Sequence, residues 1–338
     1  MSGISVAMET YNGARFVTEQ LDSIAGQTQL PVEVVICDDR STDDTVSIVE
    51  SFAAKAPFRV TLHRNDEQLG YRLNFKKAVS FCTGELIAFC DQDDVWHPDK
   101  LKTLSAQFDD PNVMLAYSNA WVTGDKLNHV RLKLEEAQEL RSLALQPIDP
   151  FKYNCYGMLQ MFRGDLRRYD NLWSRSVDHN AGSMLMAHDQ WYYFLAQLLG
   201  EIRFVDTPLV EYRQHSSNLY GIASKRTRWT RLMEKLQHHG AENEWHAAGS
   251  RSRAEVARVL ANLVPEVKPR LLRIANEYET IARRYDRRFR TYSAPSPIRR
   301  AGALVSSVAH GDYGSGPWRF DRRAIVREMW SGVIKGMI

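Results

Sequence analysis

Short apolar runs punctuate the first 120 residues: ISVAM (Ile4–Met8), VEVVIC (Val32–Cys37), RVTLH (Arg59–His63), LIAFC (Leu86–Cys90) and MLAYS (Met114–Ser118). Their length and their β-branched and aromatic content predict strands. Helical spacing fills the gaps. Phe16, Gln20, Leu21 and Ile24 recur on one face after Asn12-Gly13, Ser41-Thr42-Asp43-Asp44 resembles an N-cap with acid in the first turn, and Pro98 opens a helix carrying Leu101, Leu104 and Phe108 on one side. Strands alternating with helices predict an α/β fold, a mostly parallel sheet flanked by helices, with its ligand crevice at the strand carboxyl ends. Polar clusters stand at those ends: Thr10-Tyr11-Asn12 after the first strand, Asp38-Asp39 after the second, and Asp91 to Asp94 after the strand that ends at Cys90. All three are expected on one edge.

The pattern changes farther along. Leu127 to Pro150 is charged and weakly periodic, and reads as a mobile or helical insertion. Apolar content returns in NCYGMLQMF (Asn154–Phe162), in HDQWYYFLAQLLG (His188–Gly200), which predicts a helix ended by Gly200, and in IRFVDTPLVEYRQH (Ile202–His215). After Tyr220 the chain becomes helical and basic. Leu271, Ile274, Tyr278, Ile281 and Tyr285 form an apolar seam at 3-4 spacing, APSP (Ala294–Pro297) breaks that helix, and Trp318 to Ile338 makes a second basic amphipathic piece. These readings divide the chain into a sheet domain, 1–219, and a basic α-helical C-terminal region, 220–338. The seam is expected to serve self-association, a homo-oligomer contact, and the last twenty residues a peripheral membrane contact.

Charge sharpens the division. The formal net charge is only +3, yet Tyr220 to Ile338 holds 23 Lys and Arg against 11 Asp and Glu, about +12, while the residues before it come to about −9. Such a basic end could meet nucleic acid, anionic lipid or an acidic surface of the protein's own N-terminal part, or be no more than solvated helix faces; of these, no nucleic acid partner is expected. Cys37, Cys82, Cys90 and Cys155 show neither C-x-x-C nor zinc spacing, which points to a reducing compartment with no disulfide framework. No signal-peptide pattern opens the chain and no run of about 18 apolar residues occurs, so the expected location is cytoplasmic, with peripheral contact at the plasma membrane.

The candidate chemistry lies in the polar clusters. Two oxygen ligands separated by one residue at a strand end can reach one hard cation, and Asp91 and Asp93 have that spacing, with Asp94 alongside and no adjacent Lys or Arg. The competing reading is a helix cap. Asp38-Asp39 could accept from a hydroxyl pair or a pyrimidine imide, or simply cap the helix that follows. Tyr11 could stack on a base or anchor its turn. Asp189 is a general base if it faces substrate and an N-terminal helix charge if it does not. Arg213 and His215, in YRQH, suit a diphosphate leaving group or a surface patch. No P-loop, nucleophile elbow, H-E-x-x-H or Rossmann glycine motif is present, which argues against an NTPase, esterase, metalloprotease or dehydrogenase.

Five motifs in order, SVAMETYNGARFVTEQLDSIAGQT, VEVVICDDRSTDDT, FCDQDDVWHPDKL, HDQW and YRQHSSN, resemble family 2 glycosyltransferases of the GT-A fold, in the rhamnosyltransferase-like branch of bacterial polysaccharide assembly. The resemblance covers about residues 4 to 220. It implies inverting transfer of a sugar from a UDP- or dTDP-sugar to a glycan or lipid-linked glycan acceptor, with Mn²⁺ or Mg²⁺ on the diphosphate. Carried over by motif, Glu9 and Tyr11 lie by the base and Asp39 accepts from the imide. Asp91 lies by the ribose and phosphates, and Asp93 holds the metal with Asp94 as a competing ligand. Asp189 is the base, and Arg213 and His215 lie on the phosphate side. Glu9 departs from the family pattern, which commonly has Pro or a small polar residue there. The alternatives are a sugar-phosphate nucleotidyltransferase, whose Gly- and basic-rich loop METYNGAR lacks, and a non-catalytic scaffold of the same fold.

Overall fold

A computed structural model describes residues 3–124, 127, 129–132, 155–182, 184–215, 228–313 and 323–334. It divides into two compact units: Met1–Gln146 with Asn154–Asn171 and Ala187–Ile222, and Pro147–Tyr153 with Leu172–Met186 and Ala223–Ile338. The expected insertion at Leu127 to Pro150 lies almost wholly outside the described residues, as do Trp318 and Phe320 of the basic tail.

The first unit is built on β1 (Ile4–Thr10), α1 (Val17–Ala25), β2 (Glu33–Asp38), α2 (Thr45–Ala53), β3 (Arg59–Arg64), α3 (Tyr71–Phe81), β4 (Leu86–Cys90), β5 (Val95–Trp96) and α4 (Lys100–Ser105). It continues through β6 (Val113–Thr123), β7 (His129–Leu132), β8 (Gln160–Arg163), α5 (His188–Leu199) and β9 (Glu201–Arg213). The strands form one sheet in the order β3-β2-β1-β4-β8-β6-β9-β5, with β7 paired to β6. From β3 to β4 every ladder is parallel. Beyond β4 the sheet becomes mixed, because β8 runs antiparallel to both β4 and β6 and β5 antiparallel to β9.

Burial explains the runs that predicted the strands. In β2 and β4 every residue is buried, as expected of strands covered on both faces, and these read as near-continuous apolar segments. β3 lies at the edge and carries exposed arginines at both ends. α1 buries Val17, Gln20, Leu21 and Ile24, three of them the residues that marked its period. Beneath the sheet, Glu33 is buried and accepts from Ser5 Oγ (2.5 Å), Thr83 N (2.6 Å) and Thr83 Oγ1 (2.8 Å), with Arg59 as ion-pair partner. Burial pushes its pKa up, but these donors outweigh it and hold the carboxyl below its ordinary range.

The second unit contains α6 (Arg228–Leu263), α7 (Lys268–Ser293), α8 (Pro297–Ala309) and α9 (Arg323–Glu328), which runs on into Met329–Ile334. α7 ends where APSP begins, and Ser296 caps α8 by accepting from Arg299 N. The seam expected to bind a second copy is instead buried within the unit: Leu271, Ile274, Tyr278, Ile281 and Tyr285 are all enclosed, and α7 packs along α6. An apolar stripe on a long helix needs a partner, and α6 of the same chain is that partner. Arg288, also buried, donates to Glu328 Oε1 from Nε (2.8 Å), and Arg287 binds Asp312 through two bonds of 2.8 and 2.6 Å. Among the described residues no helix is long and apolar enough to cross a membrane.

Candidate functional site

Register decides which polar residues meet. β1 pairs in parallel with β2 so that Thr10 lies opposite Asp38, and with β4 so that Met8 lies opposite Cys90. Glu9, Asp39 and Asp91 therefore emerge at one edge, as the sequence pattern predicts.

The loops at this edge are laced together. Asp38 is buried and accepts from Thr10 Oγ1 (2.9 Å), Ser41 N (2.9 Å) and Ser41 Oγ (2.5 Å). Asn12 N donates to Ser41 Oγ, Gly13 N to Thr45 Oγ1 and Ala14 N to Asp43 Oδ2, so the loop after β1 rests on the one after β2. Tyr11 is 42% exposed, with its backbone clamped to Gln92 by bonds of 2.9 and 3.0 Å. Gly13 is required by that clamp: a Cβ there would lie 2.1 Å from Gln92 Oε1. Asp39 is buried and accepts from Asn65 Nδ2 (2.8 Å), Leu69 N (2.7 Å) and Gly70 N (2.8 Å). It therefore fixes the Asn65–Gly70 loop, whose Gly70 adopts φ 74°.

The acid cluster after β4 is tied to β9. β5 pairs antiparallel with β9, placing Val95 opposite Glu211. That short ladder brings Arg213 N to Asp94 Oδ1 (3.0 Å) and His215 Nε2 to Asp93 Oδ2 (2.8 Å), joining two motifs about 120 residues apart. Asp94 is fully buried and its Oδ2 has no hydrogen-bond partner. Asp91 and Asp93 are partly exposed. Burial first, then Asp93, Glu9 and Asp189, push the Asp91 pKa well above the ordinary range. Burial, Asp93 and Asp91 do the same to Asp94.

A buried amine stands behind these acids, and it is a side chain that the sequence reading does not single out. Lys100, in the first turn of α4, is fully buried; its Nζ donates to Met158 O (2.8 Å) and lies 3.4 Å from the centre of the Trp96 ring. Burial lowers its pKa to about 7, against the attraction of Cys90, Asp94 and Asp91. The acid cluster has no adjacent Lys or Arg in the sequence, but the fold brings Lys100 to it. Lys100 follows Asp94 by six residues, and nothing in the local sequence marks a lysine at a helix start as buried.

Glu9 is partly exposed, and Asn74 Nδ2 donates to it (3.3 Å). Burial raises its pKa to about 7 despite that bond, and Asp39, Asp93 and Asp38 add to the rise. Asp189 stands in the first turn of α5, where its Oδ1 accepts from Gln190 N (2.8 Å); its charge is felt at Asp91. Its neighbour His188 is buried against Phe75 (3.9 Å between ring centres) and Phe89 (4.6 Å), with both ring nitrogens unbonded. Burial and Arg72 lower its pKa to about 3, so it stays neutral. Arg213 is buried, pairs with Glu19 and lies over the Phe16 ring, on which His215 also stacks.

Hard oxygen donors on one edge suit a divalent cation. The partnerless Asp94 oxygen and the mutual repulsion of Asp91 and Asp93 fit such an ion. Among the described residues no three His, Cys, Asp or Glu side chains are grouped as a complete ligand set.

The model of the family described as Glycosyl transferase family 2 matches residues 5–176, half of the chain. The chain belongs to glycosyl transferase family 2. The dTDP-rhamnosyl transferase RfbG of Shigella flexneri is 27% identical over 224 residues, which cover 63% of this chain and 73% of that one. The poly(ribitol-phosphate) beta-N-acetylglucosaminyltransferase TarS of Staphylococcus aureus (strain Mu50 / ATCC 700699) is 30% identical over 213 residues, 60% of this chain and 37% of that one. The crystal structure of S. aureus TarS 1-349 in complex with UDP superposes with a TM-score of 0.52 at 19% identity, covering 84% of this chain and 91% of that chain. That likeness establishes the GT-A fold. The chain spans only about a third of the first curated relatives it matches, 29 to 34% of their length.

Proposed function

We propose that this family 2 chain moves a sugar from a UDP- or dTDP-sugar to an acceptor hydroxyl with inversion, in the assembly of a cell-surface polysaccharide. The observation that carries the reading is the junction of Asp93 with His215 at 2.8 Å, at the edge where Glu9, Asp39 and Asp91 emerge. Motifs far apart in the sequence meet where a nucleotide diphosphate would lie.

Each residue then has a task. Tyr11 offers an exposed ring to the base. Asp39 uses three of about four acceptor positions on its loop, which leaves one for an imide N–H. Asp93 and Asp91 hold Mn²⁺ or Mg²⁺, which when bound supplies positive charge to the departing diphosphate. Asp94 is the weaker ligand candidate: it is enclosed and spends Oδ1 on Arg213 N, which straps the cluster to β9. Arg213 adds positive charge, and His215 a ring nitrogen, on the phosphate side. Asp189 takes the proton of the acceptor hydroxyl as that oxygen attacks the anomeric carbon, the pair of electrons leaving with the diphosphate. No covalent enzyme intermediate is required.

The acceptor is proposed to be a glycan or lipid-linked glycan, and the protein to work in the cytoplasm beside the membrane. Incubation with UDP- and dTDP-sugars and Mn²⁺ tests the donor. Slow release of UDP or dTDP, lost in Asp93→Ala, is expected; release unchanged in that variant would move the metal to other residues.

A further inference from the structure

α8 presents the wrong face to water. Ile298 is 86% exposed, Val305 68% and Val308 47%, while the buried side of the helix holds only Leu304 and Ser307. Amphipathic helices ordinarily do the reverse. The face is open: a side chain built at Gly302, between Ile298 and Val305, would meet nothing within 4 Å.

Positive charge lies alongside. Arg287, Arg290, Arg299, Ala303 and Ser306 line a cavity of about 260 Å³. On α8 the lining residues 299, 303 and 306 are rotated by about a quarter turn from the stripe of 298, 302 and 305. Arg287 is neutralised by Asp312. Among the described residues the side chains of Arg290 and Arg299 have neither a hydrogen bond nor an ion pair. On the segment that packs against α8, Val326 and Trp330 are also exposed.

We propose that this face of α8, with the arginine cavity beside it, docks on an anionic phospholipid bilayer, the arginines meeting headgroup phosphates while Ile298 and Val305 enter the acyl boundary. An apolar stripe flanked by cations is the arrangement such a surface selects. A second copy of the chain would bring the same arginines and repel, and the surplus of 23 basic over 11 acidic residues after residue 219 favours an anionic partner over a neutral one. The inference stands apart from the transfer reaction and differs from the expected tail contact, because it rests on α8.

Sedimentation of the full chain with vesicles of phosphatidylcholine alone, or with roughly one quarter phosphatidylglycerol, tests it. Binding is expected only to the anionic vesicles and to weaken with salt. Arg290→Gln with Arg299→Gln should lower it about 30-fold at low salt, from roughly 1 kcal/mol for each residue. Ile298→Ser with Val305→Ser should lower it about tenfold or more without lowering the melting temperature. Four results would overturn the proposal: no vesicle binding, equal binding to neutral vesicles, binding indifferent to both variants, or a Ser variant that melts early because the protein's own chain covers the face. A dimer that the Ser variant dissolves would assign the face to self-association instead.

Discussion

Glu9 carries a penalty that its removal should reveal. Its carboxyl is shifted from an ordinary 4.5 to about 7, chiefly by burial and secondarily by Asp39, Asp93 and Asp38. Between those two values the folded protein binds a proton that the unfolded chain has released, so stability falls as pH rises through this window and levels off above it. At about 1.4 kcal/mol per pKa unit, the full penalty is on the order of 3 kcal/mol above pH 7 and under about 1 kcal/mol near pH 5. Glu9→Gln keeps the acceptor for Asn74 and abolishes the titration. Urea unfolding of the metal-free protein should show the variant gaining on wild type by about 2 kcal/mol between pH 5 and pH 8. The readout is the transition that reports the sheet unit, since two compact units need not unfold together. Parallel profiles for the two proteins across that range would refute the reasoning, and a variant less stable at pH 8 would reverse its sign.

Other consequences follow from the same site and from the helical unit. Asp189→Asn should reduce turnover by about 10²- to 10⁴-fold with donor affinity unchanged in calorimetry; equal turnover would leave Asp189 as a helix-end charge. Lys100→Met removes the buried amine behind Asp91 and Asp94 and leaves Met158 O without its donor, and should cost about 1–3 kcal/mol in urea unfolding; a neutral result would show that the site does not need it. Tyr278→Ala in the α6–α7 core should cost about 3–5 kcal/mol without changing the mass seen by ultracentrifugation, whereas dissociation of an oligomer would return the seam to an intermolecular role.

The strands and the acid edge were legible because both follow from simple rules. β2 and β4 are buried on both faces and so appear as unbroken apolar runs, and a parallel sheet gathers the residues after its strands at one edge. α3 could not be delimited in its gap, because its buried face includes Arg72 and Asn74 and so hides the helical period. β5 is two residues long, below any periodic signal, yet it carries Asp93 and Asp94 to Arg213 and His215. Lys100 was overlooked for a related reason: nothing local distinguishes a lysine in a helix's first turn that faces water from one that is fully enclosed. The seam on α7 was visible as a stripe, but periodicity does not say which surface covers it.

The most direct test of the account is calorimetry of UDP and dTDP binding with and without Mn²⁺, in the wild type and in Asp93→Ala. Tight binding of one nucleotide only when Mn²⁺ is present, lost in Asp93→Ala while the melting temperature of the free protein is kept, is the result predicted. Binding that is equally strong without the metal, or unchanged in the variant, would contradict a divalent ion held at the end of β4.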